Sequence, residues 1–241
     1  MLETEDWDDV VDLLCVGAEP GPLAYGILCA AKGLDVIVVE SAHLDPQTLD
    51  YRVAMTEDLE EDEPDPSLTL TCAAPAPPAT GKRAVLEPFV GEELRRWSAA
   101  CRRSPFGVLC TGVPDLEPMC DAGGRSITAG LIGGYRSDGG APGPDLVRWL
   151  RDRAAGLLAP ASDRLAGLIL QEGRIAGAVL DDGGGPRRVG TCAGLALPVG
   201  SGPALWPDQP ELAGVDAEVA VVGRRGGRFA RVELIDARGR R

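Results

Sequence analysis

The chain has one histidine, His43, in 241 residues. A histidine-rich metal site or a Ser-His-Asp triad would have to be built around that single imidazole, so neither chemistry is expected. No metal ligand set is assigned. Seven cysteines (Cys15, Cys29, Cys72, Cys101, Cys110, Cys120 and Cys192) form no C-x-x-C pair, and their odd number does not describe a disulfide framework. They are expected to be reduced, with Cys15 and Cys29 serving as small buried apolar groups. No apolar stretch approaches the roughly 20 residues of a membrane span, and the first residues, "MLETEDWDD", are acidic where a secretory leader would be basic. A cytoplasmic protein without a membrane partner is expected.

Positive charge is also scarce. The formal net charge is −13, which sets most of the surface against a polyanion and excludes broad nucleic-acid binding. Basic character collects at the end, where Arg224, Arg225, Arg228, Arg231, Arg238, Arg240 and Arg241 fall within "RRGGRFARVELIDARGRR". That run reads as a solvated tail, or as a dock for an acidic surface.

What is present is the composition of a folded protein, 44% apolar with mean hydropathy near zero. Residues 11–16, "VDLLCV", read as a buried strand. "LAYGILCAAKG" then places Leu23, Ile27 and Ala30 or Ala31 at helical spacing, with Gly33 as the stop, and the β-branched run "LDVIVVE" closes at Glu40. Together they make a parallel strand, helix, strand unit.

Further on, "EDLEEDEPD" holds seven acids in nine residues, and "SLTLT" and "CAAPAPPATG" follow. Residues 56–80 therefore read as an exposed, mobile acidic and proline-rich excursion. "GEELRRWSAACRR" is an amphipathic helix. "PGPDLVRWLRDRAAGLL" is another, with Leu146, Trp149, Leu150 and Leu157 on one apolar face and its arginines outward. "DAGGRSITAGLIGGYRSDGGAPG" is too glycine-rich for a regular element beyond a strand at "SITAGLI". From residue 163 the pattern gives three short strands, broken at "QEGR" and "DDGGGP", and then a buried strand "GLALPV". "AEVAVVGRRGGRFARVELIDA" reads as a hairpin.

The connection between the first strand and helix, "VGAEPGPLAYG", stands where a dinucleotide turn belongs. In such a turn one glycine permits the tight bend, a second lets the backbone approach the pyrophosphate, and a third lets the helix pack closely on the sheet. The helix N-terminus then offers N–H groups to the anion. The stretch "DLLCVGAEPGPLAYGILCAAKGLDVIVVE" resembles the FAD-binding fingerprint of flavoprotein oxidoreductases with two dinucleotide-binding domains, and is most similar to the fumarate reductase and 3-ketosteroid dehydrogenase group. "AGLILQEGRIAGAVLDD" resembles that group's β-meander, and "GLALPVGSG" its buried strand, with Pro198, Val199 and Gly200 where Ala-Thr-Gly is usual.

The resemblance implies an α/β fold: an FAD/NAD(P)-binding Rossmann-like parallel sheet with a β-meander over residues 1–200, then a C-terminal β-hairpin and arginine-rich tail over 201–241. It implies a cofactor site of Gly17, Ala18, Glu19, Gly21, Pro22 and Glu40. Gly17 holds the first glycine's place, Glu19 the second's and Pro22 the third's, and Glu40 is the ribose carboxylate. Two of these depart from the fingerprint. A carboxylate at position 19 faces the pyrophosphate with a like-charge cost on the order of a few kcal/mol at an effective dielectric of about 20. Pro22 removes an N–H and adds a ring where a bare α-carbon is needed, although proline is sterically acceptable in a first helical turn.

Catalytic residues are not selected by spacing. Tyr25, Tyr51, Tyr135 and His43 are the candidate acids or bases, with Tyr25 reading better as a packing residue. "GGRSITAGLIGG" is a weak candidate anion cradle. Two functions follow. In one, the chain is a flavoprotein-like pseudoenzyme that has lost ordinary FAD binding and acts through a protein partner as an accessory or regulatory subunit. In the other, it is an active FAD-dependent oxidoreductase whose substrate domain comes from a partner chain.

Overall fold

The computed structural model describes residues 6–40, 46–56, 63–76, 91–137, 141–200 and 205–236. In chain order the elements are β1 (Asp9–Val16), α1 (Pro20–Ala31), β2 (Val36–Glu40), α2 (Pro46–Thr56), β3 (Leu70–Thr71), β4 (Ala73–Pro75), α3 (Glu92–Arg103), β5 (Gly107–Cys110), β6 (Glu117–Asp121), β7 (Ser126–Arg136), α4 (Pro142–Ala155), β8 (Ala159–Gln171), β9 (Arg174–Asp181), β10 (Pro186–Pro198), β11 (Asp216–Gly223) and β12 (Phe229–Asp236).

β1 is the centre of a parallel unit. It pairs with β2 from Leu13↔Val36 to Val16↔Val39, and with β10 from Asp9↔Val189 to Cys15↔Ala196. The start of β8 extends the parallel set beyond β2 through Ile37↔Ala159. β8 then leaves that set and turns antiparallel along β9, which pairs in turn with the first half of β10. β8 and β10 therefore belong to both the parallel sheet and the meander. Beyond β10 the sheet continues in the order β5, β12, β11, β7, β6, β4. The neighbours along that second half are antiparallel throughout. The expected Rossmann-like sheet, meander and terminal hairpin are the architecture observed.

Both faces of β1 are buried, which accounts for its continuous apolar run. Leu13 and Cys15 lie with Ile27, Leu146 and Val221 on the α1 side, whereas Leu14 and Val16 lie with Trp97, Leu180 and Leu195 on the other. Helix α1 is buried from Gly21 to Cys29, consistent with a helix apolar on every side. It sits very close to its neighbours. A methyl group at Gly26 would stand 2.9 Å from Cys15 Sγ, and one at Gly130 of β7 would overlap a Leu28 methyl. The helix stops at Gly33, whose φ of 84° lets its N–H reach Ala30 O at 2.9 Å.

Several sequence expectations are corrected. The glycine-rich stretch from 126 to 136 is one eleven-residue strand with an irregularity at Ile132 in its pairing to β11, and its Gly130 admits Leu28 of α1 rather than breaking the sheet. The third meander strand and the buried "GLALPV" are a single strand, β10, bent at Gly194 with φ 97°. Leu157 falls beyond α4 and is exposed.

Part of the expected excursion also joins the sheet. Leu68 is buried and exchanges two hydrogen bonds with the Gln209 side chain, β3 pairs with β12, and β4 pairs with β6. Glu63 and Asp65 are exposed, while residues 57–62 and 77–80 lie outside the described residues.

The arginine-rich end is not a tail as far as Asp236. Arg224 lies 4.0 Å over the Trp97 ring, and Arg231 Nε donates to the buried Glu233 carboxylate at 2.6 Å. Arg238, Arg240 and Arg241 lie outside the described residues. Among the described residues no helix is long and apolar enough to cross a membrane.

Candidate functional site

The turn between β1 and α1 begins as a dinucleotide turn should. Gly17 adopts φ 89°, a conformation that favours glycine, and its N–H donates to Val39 O at 2.8 Å, fixing the turn to the end of β2. Ala18 is exposed beside it. Glu19 is the N-cap residue of α1, with φ −65° and ψ 149°, and its carbonyl accepts the Leu23 N–H at 3.1 Å. Its side chain makes no capping hydrogen bond, and it lines the mouth of the helix half-buried. A carboxylate there interacts favourably with the helix dipole. The positive end of α1 thus carries an anion of its own.

Pro20, Gly21 and Pro22 form the first turn of α1. The N–H groups of those three positions are the ones that a helix leaves open for an external anion, and two of them are missing. Gly21 keeps its N–H, and its α-carbon packs on the backbone at the start of β5. A methyl group on it would overlap the carbonyl oxygen of Gly107 and stand 2.9 Å from that of Phe106. At the other side of the same crevice, a methyl group on Gly200, just past β10, would overlap Ser104 O and stand 3.1 Å from Pro105 Cα.

The segment Ser104–Gly107 is therefore wedged between the start of α1 and the end of β10. It is firmly held: Gly107 N–H donates to Ser104 O at 3.0 Å, Phe106 N–H to Ser104 Oγ at 3.2 Å, and Val232 N–H to Phe106 O at 3.1 Å. The Phe106 ring is fully buried, 5.5 Å from that of Trp206.

The resemblance implies FAD, whose pyrophosphate needs N–H donors where α1 begins. Here that place offers a carboxylate and two proline nitrogens without hydrogen. The residues present do not fit the group. Close packing of helix on sheet, the third glycine's task, is shared by Gly21 against the start of β5 and Gly26 against Cys15, while Pro22 is buried in the first turn. Glu40 ends β2 and pairs with Arg164 of β8 through the backbone, and its side chain lies outside the described residues.

Beside the turn opens a cavity of about 610 Å³ lined by Ala18, Glu19, Pro20, Pro105, Gly200 and Trp206, and by Pro144, Val147, Arg148 and Arg151 of α4. Sequence reasoning missed these α4 residues because arginines three apart on a helix read as a solvated face. It also missed the wedge, for which "SPFG" after the amphipathic helix was the available signal.

The other candidates do not converge. Tyr25 is buried in α1, and burial, reinforced by the nearby Cys110 and Cys29 thiols, pushes its phenol up; it is a packing residue. Tyr135 donates from its hydroxyl to Pro142 O at 3.1 Å, joining β7 to α4. Tyr51 is half-buried on α2, and His43 lies outside the described residues. The Gly123–Gly124 turn is no anion cradle, since the Asp121 carboxylate already accepts the Gly123 and Arg125 N–H groups, each at 2.9 Å. All the cysteines are free thiols, and Cys15 and Cys29 are buried as expected. Among the described residues no group of three or more histidine, cysteine or acidic side chains is placed to hold a metal.

No protein-family model matches the chain, and no curated protein does. Several solved structures are similar. The 3-ketosteroid Δ4-(5α)-dehydrogenase of Rhodococcus jostii, in complex with 4-androstene-3,17-dione, is 18% identical over 81% of this chain and 47% of its own, with a TM-score of 0.36. The open conformation of a flavocytochrome c3 fumarate reductase is 14% identical over 77% of this chain and 33% of its own, at 0.34. A geranylgeranyl bacteriochlorophyll reductase-like protein of Thermoplasma acidophilum is 13% identical over 76% of this chain and 38% of its own, at 0.30. The chain spans between a third and a half of the length of these structures. Both groups named in the sequence resemblance are among them.

Proposed function

We propose that this chain is a flavoprotein-like domain that does not hold FAD in its dinucleotide turn and acts as an accessory or regulatory subunit through contact with a protein partner in the cytoplasm. The observation that carries the reading is the first turn of α1, where Pro20 and Pro22 lack N–H groups and Glu19 sets a carboxylate at the N-cap. The exposed Glu63 and Asp65 on one side, and Arg225 and Arg228 at the β11–β12 turn on the other, are the charged surfaces offered for contact.

The visible spectrum of the purified chain, alone and with any co-purifying partner, tests the reading. No flavin band is expected. Stoichiometric flavin would overturn it in favour of a working FAD-dependent oxidoreductase completed by a partner chain. That second reading has one specific observation behind it, the intact bend at Gly17 tied to β2. Under it Gly17, Ala18, Gly21 and Glu40 would hold the cofactor.

A further inference from the structure

We infer that the cavity between the first turns of α1 and α4 is a binding site for a small organic carboxylate with an apolar, ring-bearing body. Its volume of about 610 Å³ falls within the roughly 300–1,000 Å³ of small-molecule sites. Pro144, Val147, Arg148 and Arg151 recur at three- and four-residue spacing, so one stripe of α4 faces the cavity while Leu146, Leu150 and Ala154 face the core. The stripe presents two guanidinium groups against the single carboxylate of Glu19.

Arg148 pairs with Asp145 one turn back, whereas Arg151 makes no ion pair or hydrogen bond among the described residues. A ligand carboxylate is the partner whose planar geometry suits a guanidinium fork.

The remaining walls are apolar. Pro20, Pro105, Pro144, Val147 and the Trp206 ring leave little for an inorganic anion to fill, and they favour a flat hydrophobic body. Trp206 is fixed in place, with Phe106 on one side and Gly143 so close on another that a methyl group there would overlap its ring. The wall is formed before a ligand arrives. A single carboxylate also meets a smaller like-charge cost from Glu19 than a diphosphate would.

The test is a calorimetric titration of the full chain with 1-naphthoate, and in parallel with the uncharged 1-naphthalenemethanol. Naphthoate should bind saturably and at least about tenfold more tightly than the alcohol, the difference a charge-assisted hydrogen bond supplies. R151Q, a surface change that leaves the fold intact by circular dichroism, should remove that difference, and W206A should weaken both probes. No saturable naphthoate binding below about 1 mM, equal affinity for acid and alcohol, or an unchanged preference in R151Q would overturn the proposal. The inference rests on the reading above, because Ala18, Glu19 and Pro20 belong to both the cavity and the dinucleotide turn. A yellow protein would refute that reading and this site together, whereas a colourless protein without the naphthoate preference would refute this site alone.

Discussion

The α-carbon of Gly21 packs against the carbonyl oxygen of Gly107, so closely that even a methyl group could not be placed between them. One residue lies in the first turn of the helix of the strand, helix, strand unit and the other opens β5, an antiparallel strand beside β10. Their contact sets the first turn of α1 directly on the backbone of β5, and because both partners are backbone rather than flexible side chains, neither swings aside.

Gly21→Ala should therefore destabilise the chain by about 1–3 kcal/mol, the cost of overpacking a site that cannot relax. Gly134→Ala in β7 is the control: nothing lies within 4 Å of the added methyl, and a change within about 0.5 kcal/mol is expected. Urea denaturation of the two variants makes the comparison, and equal midpoints would contradict the packing described.

Helix α3 is clamped to the hairpin by charge and aromatic contact. Trp97 Nε1 donates to Phe229 O at 2.8 Å, Arg224 and Arg231 lie 4.0 and 5.2 Å from its ring, and Arg231 also binds the buried Glu233. Glu233→Ala leaves the Arg231 guanidinium without its carboxylate and should cost about 3–5 kcal/mol. Arg224→Ala removes one cation from the ring and should cost about 0.5–2 kcal/mol. Chemical denaturation should rank them in that order.

The thiols divide by exposure. Cys72 and Cys192 are exposed and should react at once with a thiol reagent, whereas Cys15, Cys29, Cys101 and Cys110 are buried and should react only on unfolding. Stopped-flow labelling in the native state should show a fast phase of two thiols, with the half-buried Cys120 following more slowly. Removal of the fast phase in a C72S/C192S variant is the expected outcome, and labelling of more than one remaining thiol before unfolding would contradict the burial pattern.

Alkaline sensitivity follows from the same cluster. Burial, only partly offset by the Tyr25 hydroxyl, holds Cys29 up to about 11 from its ordinary 9.0, and burial pushes Cys15 and Cys110 up as well. Values raised in the fold contribute stability that is complete below pH 9 and is lost as pH rises through the folded values. The urea midpoint should be level from about pH 7 to about pH 8 and fall between about pH 9 and about pH 11. An unchanged midpoint at about pH 10 would exclude these thiols as buried neutral groups.

The parallel unit was legible because local signals agree there: a buried β-branched run, a bend that favours glycine at Gly17, helical spacing through Ile27 and a helix stop at Gly33. The wedge was not legible. It depends on β5 entering the sheet between β10 and β12, a long-range pairing that four residues cannot announce by periodicity. β7 was obscured for a different reason, since Gly130, a residue type that ordinarily interrupts a strand, serves here to admit Leu28. The cavity stripe on α4 has the spacing and charge of any solvated helix face, and only its position opposite Glu19 makes it a site.

The most direct test of the account is an equilibrium titration of the chain with FAD, followed by flavin fluorescence and by the visible spectrum after dialysis. The account predicts no saturable binding below about 100 µM, and a gain in affinity in an E19G/P22G variant, which removes the carboxylate and restores an N–H in the first turn of α1. One flavin retained per native chain would contradict it.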